Sequence, residues 1–492
     1  MYAELLDGLF AEWDRVDSPG CALGVVKDGE LVYARGYGMS NLEHGVPITP
    51  SSIFHIASIS KQFTALSIAL LHLEGALSLD DDIRRFVPEI PSYGPTITVR
   101  HLVHHISGLR DQWDLLALAG WRDDDPITEG DVLEIAARQT ALNFPPGERW
   151  SYSNTGYTLL AVIVHRASGK TLRQFTDERI FKPLGMSRTH VHDDHTEIVP
   201  GRTQAYEVRP GGGLKISIPV FDLGGTTSLF TTVEDLARWS ENFFHMRIGG
   251  PEANALTLTP AVLNNGEPTD YAFGLRVRTR KDGTRIIEHG GADAGYRAHF
   301  LLAPDHHLCV IVLANVPTVL PSVRAEQVLD RLLAREAPSI PAGVNLPAEV
   351  LEPLCGVYRN RRTNDALRFG VHEGGLRLEM WGGIPLAAID TRTFYLPVAP
   401  GSRYIFDAEA GLLTVRGDDD TEQRWERAEA YAPDAAALEA FVGTYTSAEL
   451  GTTWQLLVKD DALTLRRRKF DDAPLAPAWP GAFFADICRL EF

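Results

Sequence analysis

The last third of the chain repeats itself, and the repeat divides everything else. Leu351, Glu352, Gly356 and Tyr358 in LEPLCGVY recur 87 positions later as Leu438, Glu439, Gly443 and Tyr445 in LEAFVGTY. The same offset lays LRFGVHEGGLRLE onto WQLLVKDDALTLR, and Pro385, Leu386 and Phe394 match Pro474, Leu475 and Phe483 at an offset of 89. A shared register of this length marks two copies of one supersecondary unit. Short alternating strands around Gly and Asp turns predict two antiparallel β modules, 350–431 and 432–492, each curling on itself as a small barrel does. Such modules serve as covers or spacers as readily as they carry chemistry. EAPSIPAGVNLPAE, residues 336–349, is rich in proline and small residues and reads as a linker.

Residues 1–335 therefore form a domain of their own. ALGVV and LVYA flank the turn KDGE and read as a hairpin. YAFGLRVRTR with TRIIEHGG predicts a second hairpin, and AHFLLAPDHHLCVIVLANV a third. Helical patterns such as GDVLEIAARQ and TVEDLARWSENFF lie between them. Strands at both ends with helices between predict an α+β domain, in which both ends build one antiparallel sheet flanked by helices.

Composition narrows the function. Hydrophobic content of 44% and charged content of 23% are those of an ordinary globular protein, while a net charge of −18 argues against a nucleic-acid partner. No run approaches the roughly 18 apolar residues of a membrane span, so no membrane partner is expected. The start, MYAELLDGLFAEWDRV, reads as an acidic amphipathic helix rather than a secretion signal, and Cys21, Cys309, Cys355 and Cys488 are scattered as isolated buried thiols are. Together these readings favour a cytoplasmic protein.

The stretch FHIASISKQF places Ser58 three residues before Lys61, at the start of the apolar run FTALSIALLHLEGAL. That run predicts a buried helix of about four turns ending near Gly75. Two readings stay open on these residues alone. Ser58 is a helix cap beside a solvated lysine, or it is a nucleophile at a helix start with a buried Lys61 as its proton acceptor. FPPGERWSYSN puts Tyr152 and Asn154 two apart before another apolar helix, where a phenol and an amide share one face of extended chain. A cation beside Tyr152 would lower its pKa and fit it for proton transfer; on these residues alone, packing at a helix entrance with Asn154 or Ser153 as cap explains it better. In TRIIEHGGADAGY a strand ends in His289-Gly290-Gly291, and the next N–H, that of Ala292, is placed to join the N–H of Ser58 as an oxyanion donor. HLVHHISGL and DLGGTTSLF read as packing and turn segments.

Ser58-Ile59-Ser60-Lys61, Tyr152-Ser153-Asn154 and His289-Gly290-Gly291 stand in the order and spacing of the penicillin-recognising serine hydrolases. HLVHHISGL, PPGERWSYSN, PLGM and TTVEDLARW add to the likeness, which spans roughly residues 5 to 335. The chain resembles the branch that holds class C β-lactamases, D-alanyl-D-alanine carboxypeptidases, D-aminopeptidases and related esterases. The resemblance implies a β-lactamase/transpeptidase-like domain, an acyl-enzyme on Ser58, proton transfer by Lys61 and Tyr152, and no cofactor or metal. It implies that Asn154 binds substrate amide and that Gly290, Gly291 and Ala292 border the substrate. His289 stands where many relatives carry the lysine of a K-T-G element, so a weaker, pH-dependent cation or a hydrogen-bond donor is expected there. The two appended β modules make D-aminopeptidases the most similar in layout. In those enzymes a loop of the last domain restricts the pocket, which makes RRRKFDDAPL, with Asp471 or Asp472 meeting a substrate ammonium, the corresponding candidate, although a solvated charge run in a hairpin accounts for the segment better.

The expected partner is a small-molecule or short-peptide substrate, with D-amino-acid peptides or amides first and esters or β-lactams as the alternative. Oligomeric state stays open, a homodimer among the assemblies considered. Two further classes remain. HVHDDH matches a zinc-hydrolase pattern through His190, His192, Asp194 and His195, although a solvated loop accounts for it better. A non-catalytic binding protein is the other, disfavoured because packing does not require Ser58, Lys61, Tyr152 and His289 together.

Overall fold

The computed structural model describes residues 2–209, 211–334, 343–379, 383–397, 399–417, 421–485 and 488–492. Two units emerge: Met1–Leu116 with Arg122–Ala337, and Ala117–Trp121 with Pro338–Phe492.

The first unit is built on a six-stranded antiparallel sheet. Its order is Arg276–Thr279, Arg285–Asp293, Tyr296–Ala303, Leu308–Ala314, Cys21–Lys27 and Glu30–Tyr37. The strand LCVIVLA at 308–314 is buried throughout and accepts the N-terminal hairpin through the register Cys21↔Ala314 to Lys27↔Leu308. Its side chains alternate between two cores, as a period of two requires. Leu308, Val310 and Val312 join Leu23 and Val25 in a core shared with Leu6, Phe10, Val328 and Leu329. Cys309, Ile311 and Leu313 point the other way, into the larger core that holds the helices. Burying each such branched side chain contributes roughly 1.5–3 kcal/mol, so a sheet covered on both faces is a rigid platform.

The apolar run after Ser58 forms the helix Lys61–Leu73, buried at every position from Lys61 to Leu71. It closes as a Schellman motif: Ala76 N donates to Leu71 O, Gly75 N to His72 O, and Gly75 is left-handed. The helix Asn154–Ser168 shares its core. A small three-stranded sheet, Phe54–His55, Leu229–Thr231 and His190–Val191, lies in the same unit.

Three expectations are corrected. The N-terminal helix spans only Tyr2–Leu6, followed by a tight turn at Asp7–Leu9; the Asp7 carboxylate is drawn out of the helical pattern by Tyr33, Arg35 and Tyr37. The strand expected over YAFGLRVRTR is confined to Arg276–Thr279, because Ala272 N turns back to Leu275 O. Cys21 and Cys309 are buried, but Cys355 and Cys488 are only half-buried. Among the described residues no helix is long and apolar enough to cross a membrane.

In the second unit the first repeat makes a nine-stranded antiparallel sheet running from Gly356–Arg359 to Glu422–Arg427. Its edge strands, Ile384–Pro385 and Ala387–Ala388, flank one residue, Leu386, so the sheet bends round to near closure there. The second repeat is more open, with a four-stranded and a three-stranded sheet whose facing strands, Ala473–Pro474 and Ala476–Trp479, flank Leu475. The copies share individual bonds. Leu386 N donates to Leu376 O as Leu475 N does to Leu463 O, and the Tyr358 hydroxyl donates to Leu354 O as that of Tyr445 does to Phe441 O. Residues 336–342, half of the proline-rich stretch 336–349, lie outside the described residues; Val344 N donates to Ala388 O.

Replacing Ile311 by Ala is expected to lower unfolding free energy by about 2–5 kcal/mol, whereas Val16→Ala, at a side chain 86% exposed, stays within about 0.5 kcal/mol. Urea unfolding of the two variants beside the parent chain measures the contrast.

Candidate active site

Ser58 sits in a tight turn, Ala57–Ser60, that leads directly into the helix Lys61–Leu73. Ala57 holds φ +47, a left-handed conformation costly for a residue with a Cβ. Hydrogen bonds on both sides impose it. Ile56 N donates to Leu229 O, while the Ser60 hydroxyl donates to Ala57 O and accepts from Leu229 N. Among buried neighbours, Ser58 alone from Ser52 to Leu71 is half-exposed.

Lys61 is fully buried one turn on. Its Nζ lies 3.1 Å from Ser58 Oγ, 2.9 Å from Asn154 Oδ1 and 2.7 Å from Thr226 O. Burial lowers its pKa to about 7, with the negative charges of Asp111 and Asp293 opposing part of the shift. A neutral amine has two hydrogens and one lone pair. The amide and carbonyl oxygens only accept, so they take the two hydrogens and the lone pair faces the hydroxyl of Ser58. The geometry thus leaves the Ser58 hydroxyl as the group that meets the lone pair of the neutral amine.

Asn154 is held as firmly as the lysine it holds. Its Oδ1 also accepts from Thr226 Oγ1 at 2.6 Å, and its Nδ2 donates to Asp111 Oδ2 at 2.9 Å. Asp111 accepts Asn154 N as well, capping the helix Asn154–Ser168 from outside. The amide expected to face substrate is occupied by protein groups.

Tyr152 departs from expectation in another way. Its phenol is close enough to Ser58 for that hydroxyl to favour the phenolate, yet burial outweighs the effect and pushes its pKa above the ordinary tyrosine value. Aromatic rings enclose it: His105 at 4.2 Å, Tyr271 at 6.2 Å and His289 at 6.3 Å between centroids. Lys61 Nζ lies 4.8 Å from its ring centre. No lowered phenol pKa results, so at neutral pH Tyr152 is a hydroxyl and not a phenolate.

His289 is not a pH-dependent cation. Burial, reinforced by the nearby Lys61 charge, lowers its pKa to about 3. Its Nδ1 lies 2.6 Å from Gly290 O, an acceptor, so Nδ1 carries the proton; Nε2 then accepts from the Tyr271 hydroxyl at 3.0 Å. Gly291 is needed by the protein itself rather than by a substrate chain. A Cβ there would lie 2.1 Å from Ile56 O, so the bare backbone lets the strand Arg285–Asp293 abut the Ser58 turn. A Cβ on exposed Gly290 would meet nothing closer than 3.5 Å. Ala292 is exposed beside them.

Several groups of the site escaped the sequence reading. Thr226, from DLGGTTSLF, holds Lys61 through its carbonyl, and Asp111 follows SGLR. His105, from HLVHHISGL, accepts Ser153 N on Nδ1 and packs under Tyr152. His55, Thr227 and Asp293 form a second polar cluster, with His55 Nε2 2.9 Å and Thr227 Oγ1 3.0 Å from Asp293 Oδ2. Asp471 and Asp472 belong to the second unit; Asp471 is exposed, and both oxygens of Asp472 accept from Arg466 at 2.8 Å. HVHDDH is not a solvated loop. His190–Val191 is a strand and His192 is 5% exposed, while Asp194 and His195 turn to Thr196 and Asp222.

Gly291→Ala is expected to slow acylation of Ser58 at least 10²-fold, because displacing the strand by about 1 Å costs that much. Gly290→Ala is expected to stay within a few-fold. Intact-mass kinetics with a fluorophosphonate probe compares them.

The beta-lactamase family model matches residues 8–335. A D-aminopeptidase of Gluconobacter oxydans is 30% identical over 365 residues, covering 74% of this chain and 67% of the relative. Penicillin-binding protein 4* of Bacillus subtilis is 31% identical over 302 residues, covering 58% and 66%. In fold, the octameric penicillin-binding protein homologue from Pyrococcus abyssi superposes with a TM-score of 0.63 at 24% identity, over 96% of this chain and 98% of that one. The D-amino acid amidase from Ochrobactrum anthropi SV3 gives 0.57 at 21% identity, over 68% and 99%. A family match over two thirds of the chain settles the assignment: the chain belongs to the beta-lactamase family and is a serine hydrolase.

Proposed function

We propose that the chain hydrolyses amides or short peptides of D-amino acids through an acyl-enzyme on Ser58. The observation that carries this reading is the threefold seating of Lys61 Nζ, which aims an uncharged lone pair at the Ser58 hydroxyl. Lys61 takes the proton as Ser58 Oγ bonds to the substrate carbonyl carbon. The oxyanion so formed is met by the N–H groups of Ser58 and Ala292. The C–N bond then breaks while the proton passes from Lys61, through the Tyr152 hydroxyl, to the departing amine. Water attacks the acyl group by the reverse relay and frees Ser58. In this scheme Asn154 positions the lysine, and Gly291 positions the strand that carries Ala292.

The D-amino-acid preference rests on the D-aminopeptidase relatives and on the charge of the site. A carboxylate-bearing substrate, a β-lactam or a terminal D-alanine, is best met by a fixed cation, and His289 is neutral here. Arg276 is engaged by Asp270 at 2.6 Å and lies over Trp150. The negative groups Asp111 and Asp293 suit a substrate that carries an ammonium instead.

D-alanyl p-nitroanilide is expected to be cleaved at least tenfold faster than its L isomer and faster than nitrocefin, with Ser58→Ala losing roughly 10³-fold or more. Below the Lys61 pKa the amine is protonated and accepts nothing. kcat/KM therefore rises about tenfold per pH unit up to about 7 and levels off above it. Prompt nitrocefin turnover without D-selective amide cleavage would contradict the substrate assignment.

A further inference from the structure

We propose that His190, His192 and Glu197 bind one divalent transition-metal ion of the zinc class, at a site separate from the Ser58 machinery. One ligand atom from each of the three lies within 4.8 Å of the others. His192 is 5% exposed, and its buried Nδ1 has no hydrogen-bond partner in the protein; the buried Nε2 of His190 likewise has none. Two histidines that each bring a ring nitrogen to one carboxylate, and that each bury a nitrogen without a hydrogen-bond partner, are a costly arrangement for a polar cluster and a natural one for a cation. His192 Nδ1 stands 3.7 Å from Glu197 Oε2, near the roughly 3.4 Å edge between ligands on a tetrahedral zinc.

The local fold explains why these residues meet. His190–Val191 pairs with Leu229–Thr231, so residues 190 and 192 share a face, with Phe230 packed against both rings. The turn in which Glu197 N donates to Asp194 O brings the carboxylate back over that face. Arg173 then grips both carboxylate oxygens at 2.7 and 2.8 Å, orienting the group as outer partners of metal ligands do. His190 and Glu197 also line a cavity of about 910 Å³, which leaves the fourth coordination position open to water or an anionic ligand. Only half of the HVHDDH pattern takes part. The Asp194 carboxylate accepts from Thr196, and His195 Nδ1 lies 2.8 Å from Asp222 Oδ1. The ligand set is thus two histidines of the pattern plus a glutamate outside it. The ion braces the small sheet whose middle strand pairs with Phe54–His55 just before Ser58; the hydrolytic step does not use it.

The test is metal binding by the full chain, stripped with a chelator and titrated with Zn2+ and Co2+. The expected result is one ion per chain, a visible Co2+ absorption band of four-coordinate type, and a rise in Tm of roughly 3 °C at saturating Zn2+. His190→Ala and the near-isosteric Glu197→Gln lower affinity at least tenfold, with fold checked by circular dichroism and by fluorophosphonate labelling of Ser58. His195→Ala leaves binding unchanged, and the stripped chain keeps its hydrolytic activity at ordinary temperature. Absence of stoichiometric uptake, uptake unaffected by both His190→Ala and Glu197→Gln, loss of uptake in His195→Ala, or loss of hydrolysis on stripping would each overturn the proposal.

Discussion

An amine buried without a carboxylate partner is the constraint on which this molecule turns. Lys61 has no exposed surface, and its partners are a hydroxyl, an amide oxygen and a peptide carbonyl. Burial that lowers its pKa from 10.5 to about 7 costs the folded state on the order of 5 kcal/mol at or below neutral pH. The sign follows from proton binding: the unfolded chain keeps the proton between pH 7 and 10.5, so the penalty fades as pH rises through that window. The two-faced sheet and the apolar helices offset it. Each of the three seats comes from a different element: the turn before the lysine's own helix, the start of the helix Asn154–Ser168, and the loop before Leu229–Thr231. The core is therefore the means by which three distant stretches meet at one nitrogen.

Much of this architecture was legible in the sequence. Period-two patterns at both ends of the first unit mark the strands, and the repeat marks the β modules down to paired hydrogen bonds at Leu386 and Leu475. Ser58, Lys61, Tyr152 and His289 stand out by spacing, and the structure brings them together. What stayed hidden has physical reasons. Thr226 acts through a carbonyl, which any residue type supplies. Asp111 and His105 hold backbone N–H groups more than 40 residues away in sequence. The state of His289 depends on Tyr271, which sits where a strand was expected. A motif names a side chain, but burial and neighbours decide its charge. Two of the corrections at the site are of this kind: the raised pKa of Tyr152, and the loss of the cation reading of His289, whose Nδ1 keeps the other expected role of hydrogen-bond donor.

The same distinction separates the two histidine-bearing regions of the first unit. At the hydrolytic site every polar atom of His289 is spent on protein partners, so the ring serves as a wall. At His190 and His192 buried nitrogens are left unspent. Unspent nitrogens alone do not mark a ligand, since His105 Nε2 and His55 Nδ1 are also buried without partners; at His190 and His192 they occur where a carboxylate stands within ligand distance.

The central claim is that burial brings the Lys61 pKa down to about 7, so that the amine is available without its proton at and above neutral pH. Nitrogen NMR of the folded chain, with Lys61 assigned by comparison with Lys61→Met, reads that charge directly as pH is varied. The account predicts a Lys61 midpoint near 7, with the exposed lysines titrating near 10.5. A Lys61 that keeps its proton until pH 10 would contradict it.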